Sequence, residues 1–289
     1  MRIALVDLLF CWPPHGGADV DCFNVARELR AAGNEVHLFG LSVPDSWERG
    51  AFSPEALPFP ASRVVLEAGA LAEAPARIRA AIAAFQPDVV VVGDGFFLKP
   101  LVINALGEYP VVARYYAHEA VCHRDILRFK QGAPCPNDYL RTRDVCRECA
   151  FETLGPLIRR GLRNAWVEEY LAARAHAPEY HVEVERALRG LKACIVYNAG
   201  MGEPLRDYCA EIALVPGGVD LGSFSPTPPP LRTPGERQVI LMSGRAEDPM
   251  KGVQVLWEAG ERLAQIRDDF LIQATLPLDS LRTPWFEPI

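Results

Sequence analysis

Apolar residues come in short unbroken runs separated by longer stretches of helical periodicity, and the two alternate along most of the chain. Arg2 to Leu8 is an apolar run with the look of a buried parallel strand. Trp12-Pro13-Pro14-His15-Gly16-Gly17 follows as a loop, and Asp19 to Ala32 carries a helical stripe of Val20, Phe23, Val25, Ala26 and Leu29. Gly33-Asn34 stops that helix, and Glu35 to Phe39 is the next strand. The right-handed crossover rule makes these two strands parallel.

The unit then repeats. Arg63 to Leu66 predicts a short strand, 71–85 an Ala-rich helix, Asp88 to Val92 a strand, 98–107 a helix and Pro110 to Tyr115 a strand. An irregular segment, 119–155, interrupts the alternation. Helical material resumes over 156–190, broken near Pro178, and the runs Ala193 to Tyr197 and Ile212 to Val215 complete a sheet of seven strands. This is the pattern of an α/β, doubly wound, mostly parallel sheet over residues 1–215. Residues 216–236 are proline-rich and read as a linker. From 237 to 289 an incomplete second domain of the same kind is expected: a strand over Gln238 to Met242, a helix over Gly252 to Ile266 and a strand over Phe270 to Ala274. The last fifteen residues show no periodicity.

Composition narrows the classes. No apolar run approaches the ~20 residues needed to cross a bilayer, and Met1 to Asp7 leads directly into a strand without a cleavage pattern, so a cytoplasmic protein is expected. A net charge of −7 argues against nucleic acid as a partner. The charge is uneven: ten basic and six acidic residues between Arg114 and Arg163 give a local +4. A solvated loop face or a peripheral contact with anionic lipid headgroups both fit that excess.

Candidate chemistry gathers at the carboxyl ends of the strands, where open α/β sheets bind ligands. The loop His15-Gly16-Gly17 opens a helix, and its backbone allows close approach of a phosphate or sugar. His118 and Glu119 follow the strand ending at Tyr115, and Asp94 follows the valine strand, so all three face the same edge. Arg245 and Lys251 flank the first loop of the second domain and would suit a diphosphate.

These motifs resemble family 4 glycosyltransferases of the two-domain GT-B fold. The likeness rests on Pro13-Pro14-His15-Gly16-Gly17, Ala117-His118-Glu119, Val215-Pro216-Gly217-Gly218-Val219-Asp220 with Phe224-Ser225-Pro226, and Ser243-Gly244-Arg245 with Lys251-Gly252. The resemblance implies a nucleotide-diphosphate sugar as donor, transfer with retention and no catalytic metal. It implies His118 against the transferred sugar, Gly16, Gly17, Arg245 and Lys251 as donor-binding residues, and His15, Asp94 and Glu119 on the acceptor side. The acceptor would be a glycan, a lipid-linked saccharide or a small molecule. The family's pair of glutamates, eight residues apart late in the second domain, has no counterpart: only Glu287 follows Glu261. A separately encoded remainder or a homodimer is therefore an expected partner, and a non-catalytic, metal-stabilised binding module for a glycan or a partner is the competing function. A sugar-nucleotide epimerase is a third reading.

Of eight cysteines, Cys11, Cys22, Cys194 and Cys209 lie scattered among apolar neighbours. Cys122, Cys135, Cys146 and Cys149 are bunched as C-x12-C-x10-C-x2-C. Four thiolates suit a tetrahedral structural zinc; unligated thiols and disulfides are the other readings.

Overall fold

The structure is a computed structural model that describes residues 1–44, 49–67, 69–130, 133–222, 224, 237–244, 246 and 251–289. It divides into two compact units, Met1–Ser223 and Phe224–Ile289.

The first unit is built on strands β1 (Arg2–Asp7), β2 (Glu35–Ser42), β3 (Ala61–Val65), β4 (Val89–Val92) and β5 (Val111–Tyr115). A two-stranded antiparallel ribbon follows, β6 (Phe129–Lys130) with β7 (Ala133–Pro134), and later β8 (Ala193–Val196) and β9 (Ile212–Leu214). Its helices are α1 (Gly17–Ala31), α2 (Ala74–Phe85), α3 (Lys99–Ala105), α4 (Arg143–Arg159), α5 (Ala165–Ala172), α6 (Tyr180–Gly190) and the single turn α7 (Ala199–Gly202). The seven-stranded sheet runs β3-β2-β1-β4-β5-β8-β9 with every neighbouring pair parallel. Strand order therefore reverses between β1 and β4, the point where such sheets leave a crevice at their carboxyl ends.

Both faces of the sheet are covered, which is why its strands read as continuous apolar runs. Ala4, Val6, Val90, Val92 and Ala113 pack toward α2 and α3 through Ile78, Ile82, Val102 and Leu106. Ile3, Leu5, Val36 and Leu38 form a second cluster with Cys22 and Ala26 of α1, Phe52 and Phe59.

The insertion is more ordered than its composition suggests. Expected to be irregular to 155, it already forms α4 from Arg143, and the helical stretch expected over 156–190 holds the end of α4 followed by α5 and α6. The helical stripe of α4 is diluted by charged and exposed residues, Val145 and Phe151 among them, so its periodicity is faint. Asn164 marks the start of α5 by accepting from the Val167 amide at 2.9 Å.

In the second unit β10 (Gln238–Met242), α8 (Val253–Leu263), β11 (Phe270–Ala274) and β12 (Phe286–Pro288) form a parallel three-stranded sheet, β10-β11-β12, with one helix. Phe270, Ile272, Ala274 and Phe286 make its core with Trp257 and Trp285 around them. The strand β12 was not expected; three residues ending near a proline are too short to show a period. Most of the expected linker, and Arg245, lie outside the described residues.

Candidate functional site

The carboxyl edge of the large sheet carries a concentration of buried charge. Asp7 ends β1 and is fully buried; its Oδ1 accepts from the Leu9 amide at 3.0 Å and its Oδ2 from the Asp94 amide at 3.0 Å. Burial raises its pKa to about 7, against the pull of those two amides. Asp94 follows β4, accepts from the Gly95 amide, and is also held above the usual carboxylate range, by burial first and by Asp7 second. A Cβ on Gly93 would come within 2.8 Å of the Asp7 carboxylate, so glycine is what lets the two strand ends approach.

The helix α1 begins in the Gly-Gly loop, but its first amides are not idle. Asp19, in the first turn, accepts from Cys11, His15 and Gly16, each at 2.9 Å. This side chain reaching back to the N-cap amide fixes the entry of the chain into the helix. It also removes two amides that the loop was expected to offer a phosphate and places a carboxylate there. Gly17 remains at the surface of the site.

An open hollow of about 440 Å³ lies at this edge. Gly17, Ala18, Val20 and Asp21 form one wall, Tyr116 after β5 and Tyr197 after β8 form another, and Gly217-Gly218 after β9 closes a third. Asp21 is 10 % exposed and pairs with the Arg114 guanidinium at 2.7 Å, while the Tyr116 hydroxyl donates to it at 3.1 Å. Arg114 also lies 4.8 Å over the Tyr197 ring. A Cβ on Gly217 would come within 2.9 Å of that ring, so the backbone there passes close against the tyrosine. Arg27 of α1 holds the same segment through Asp220 at 3.1 Å.

The turn after β5 is braced from beneath. Glu119 is 5 % exposed; it accepts from the Tyr116 and Ala117 amides and from Lys99 Nζ at 3.2 Å. Lys99, 1 % exposed, also donates to the Arg114 carbonyl and sits 4.0 Å over the Tyr115 ring. Glu119 was expected to face an acceptor; its carboxylate is instead committed to its own turn, a correction that follows from its burial. His118 rides on that turn, half-buried, with Nδ1 unpartnered among the described residues. Burial first, and Arg128 second, lower its pKa, so it is neutral at pH 7. His118 and Asp94 do not line the hollow, and His15 is exposed beside it.

Tyr116, Tyr197, Asp21 and Arg114 were missed in the sequence. Arg114 left a signal, a charge inside an otherwise apolar strand, which must find a partner. Asp19, three residues after Gly16, had the spacing of a reciprocal cap.

In the second unit Lys251 is exposed just before α8, and Gly252 enters that helix with φ of 82°. In the insertion, Cys122, Cys135, Cys146 and Cys149 all line one small hollow with His123. Among the described residues no three His, Cys, Asp or Glu side chains are already gathered to hold a metal ion. Burial pushes the Cys146 thiol up to about 11, and Cys122 and Cys135 add to that shift. No described helix is long and apolar enough to cross a membrane.

An open parallel sheet with its crevice at the carboxyl edge is the architecture of nucleotide- and sugar-binding α/β proteins. Residues 15–147, which carry the Gly-Gly loop, α1, the β5 turn and most of the insertion, match the family described as Glycosyltransferase Family 4. In this segment the chain is similar to glycosyltransferase family 4, a family of transferase enzymes. No curated protein matches the chain. Among solved structures it is similar to the glycotransferase of kitacinnamycin, at 14 % identity and TM-score 0.44, covering 99 % of this chain and 70 % of that one. It is similar to the lipopolysaccharide outer core galactosyltransferase WaaB, at 12 % identity and TM-score 0.47, covering 95 % of this chain and 60 % of that one. A UDP-N-acetylglucosamine 2-epimerase from Listeria monocytogenes overlaps at 12 % identity and TM-score 0.42, over 100 % of this chain and 69 % of that one. None of these overlaps bears on the reaction.

Proposed function

We propose that the chain takes part in transfer of a glycosyl group from a nucleoside-diphosphate sugar to a hydroxyl of a glycan, lipid-linked or small-molecule acceptor, with retention. The observation that carries this reading is the hollow at the sheet's carboxyl edge, walled by the Gly17 turn, Asp21, Tyr116 and Tyr197, with most of its lining inside the family-matched segment. Tyrosine rings and a carboxylate in a partly dry setting suit a polyhydroxylated ring: the rings cover its C–H faces and Asp21 accepts from its hydroxyls. In this reading the hollow holds the acceptor. His118, neutral at pH 7, contributes a hydrogen bond near the transferred sugar, and Gly16 and Gly17 keep the helix entrance narrow. Arg245 and Lys251 answer the diphosphate charge from the second unit. The positive charge of the insertion, with Phe129 and Phe151 exposed on it, supports a peripheral contact with anionic headgroups.

Calorimetric titration with UDP, GDP and ADP, together with saturation-transfer NMR against a glycan panel, tests the proposal. Lys251→Ala is expected to abolish nucleotide binding, and Tyr197→Ala to abolish glycan binding. Glycan binding without any nucleotide binding at millimolar concentration would support the non-catalytic binding module instead. Binding of neither removes both.

A further inference from the structure

The insertion between β5 and α5 presents a puzzle of its own. Its ribbon is two residues per strand, and Leu127, Phe129 and Val145 are exposed, so this stretch has little apolar burial to hold it together. Yet three separate pieces of backbone converge on one hollow of about 40 Å³: the turn bearing Cys122, the chain leaving the ribbon at Cys135, and the first turns of α4 bearing Cys146 and Cys149. The last two are three residues apart on a helix and so share a face. The Cys135 amide donates to the Arg128 carbonyl at 2.8 Å, fixing where the ribbon delivers its thiol.

We propose that this hollow is a structural metal site, in which the thiolates of Cys122, Cys135, Cys146 and Cys149 together hold one zinc ion. The side chains line the walls and are not gathered at a centre, so holding the ion requires the thiols to turn inward from the walls. Two observations besides the cysteines point to such a ligand. His123, 2 % exposed, lines the hollow, and its Nδ1 has no partner among the described residues. A metal-bound thiolate would accept from that ring, the kind of outer interaction that orients a metal ligand. Lys130 Nζ stands 3.6 Å from Cys149 Sγ; Arg124 and Arg128 line the same space, each paired with a carboxylate, Asp125 and Asp138. Four thiolates around a divalent ion leave an excess of two negative charges, and Lys130 offsets part of it. The hollow's size suits a single ion rather than an iron–sulfur cluster, and an all-sulfur tetrahedral set favours zinc among the divalent metals. With four protein ligands there is no open position, so the ion cross-links the insertion and does no chemistry.

The proposal stands apart from the transfer reaction and fails or survives without it. Elemental analysis of the purified full chain is expected to give about one zinc per molecule, falling to near none in Cys135→Ser and Cys146→Ser. Cys194→Ser, a fully buried core thiol outside the hollow, is expected to retain the ion. Should the insertion variants not fold, metal-stripped wild-type chain titrated with Co²⁺ is expected to show the ligand-field and sulfur charge-transfer absorption of a tetrahedral thiolate site, bleached by zinc. Absence of metal uptake by the stripped chain, an oxygen-type cobalt spectrum, the absorption of an iron–sulfur cluster, or alkylation showing these thiols paired as disulfides would each overturn it.

Discussion

Arg49 and Glu169 form an ion pair of 2.9 Å with both side chains fully buried, and it joins three parts of the molecule that otherwise have no covalent reason to meet. Arg49 donates to the Leu8 carbonyl just past β1, at 2.6 Å. Glu169 on α5 accepts from the Phe96 and Leu98 amides just past β4, each at 2.9 Å. The pair therefore sits behind both strand ends that carry Asp7 and Asp94. Consider Arg49→Met, which keeps the stem and removes the charge. Breaking one side of a buried pair typically costs about 3–5 kcal/mol, because the remaining charge is stranded. The expected destabilisation is therefore about 3–5 kcal/mol. Out of a typical 5–15 kcal/mol this is a large fraction.

Hydrogen exchange at the Leu98 amide, which donates directly to Glu169, reads this locally, and urea denaturation reads it globally. Adding Glu169→Gln to the variant removes the stranded charge while keeping an acceptor for the two amides, so part of the stability should return. A loss under about 1 kcal/mol would mean that the pair is solvated and worth no more than a surface one. A large loss that Glu169→Gln does nothing to restore would mean that packing, and not stranded charge, is what Arg49 supplies. Either result refutes the reasoning.

The remaining predictions concern the site and the second unit. Asp7 has a folded pKa of about 7, raised from 3.8, so between these values the folded state binds more protons than the unfolded one and stability falls as pH rises. Asp94→Asn removes the neighbouring charge and should gain on wild type between about pH 5 and about pH 8 in melting experiments; an unchanged difference across that range would count against the paired carboxyls. Gly260→Ala in α8 should destabilise the second unit by about 1–3 kcal/mol despite alanine's better helix propensity, because the new methyl would collide with the Trp285 ring; a raised melting temperature would contradict that packing. Tyr116→Phe deletes the 3.1 Å bond to Asp21 and should cost about 1 kcal/mol in thermal stability, with glycan binding weakened alongside it in NMR.

How much was legible follows from what each residue does. The strands of the large sheet could be read because parallel strands covered on both faces must be apolar throughout, and Val89 to Val92 has no other reading. The crossover rule made the first two strands parallel, but the order β3-β2-β1-β4-β5-β8-β9 was not read, because it depends on which strands pair across the fold. The loop His15-Gly16-Gly17 could be placed at the ligand edge because β1 and α1 were both clear. What the loop does with its amides could not, since that depends on Asp19 turning back to it. The walls of the hollow were hidden for a different reason. Tyr116 and Tyr197 end strands that lie side by side in the sheet but are separated by the whole insertion and three helices in the sequence. A tyrosine after a strand is ordinary by itself; only the β5–β8 pairing makes it half of an aromatic wall. The α4 start was missed because the Arg-rich, cysteine-bearing turn from Arg143 has no apolar stripe to announce it.

The electrostatics of the carboxyl edge then divide the work expected of the chain. Asp7, Asp94, Asp19, Asp21 and Glu119 all lie there, with Lys99 and Arg114 tied to Glu119 and Asp21. A diphosphate needs free donors and positive potential, and the amides best placed to give them, those of His15 and Gly16, are taken by a carboxylate. Neutral sugar hydroxyls need the opposite: acceptors such as Asp21 and flat apolar surfaces such as the tyrosine rings, which cost little to desolvate. The first unit is therefore chemically suited to a polyhydroxylated acceptor and ill suited to hold the nucleotide's charge. This is why the proposed donor grip rests on Lys251 and Arg245, and why the proposal has the Gly-Gly loop shape the acceptor's edge.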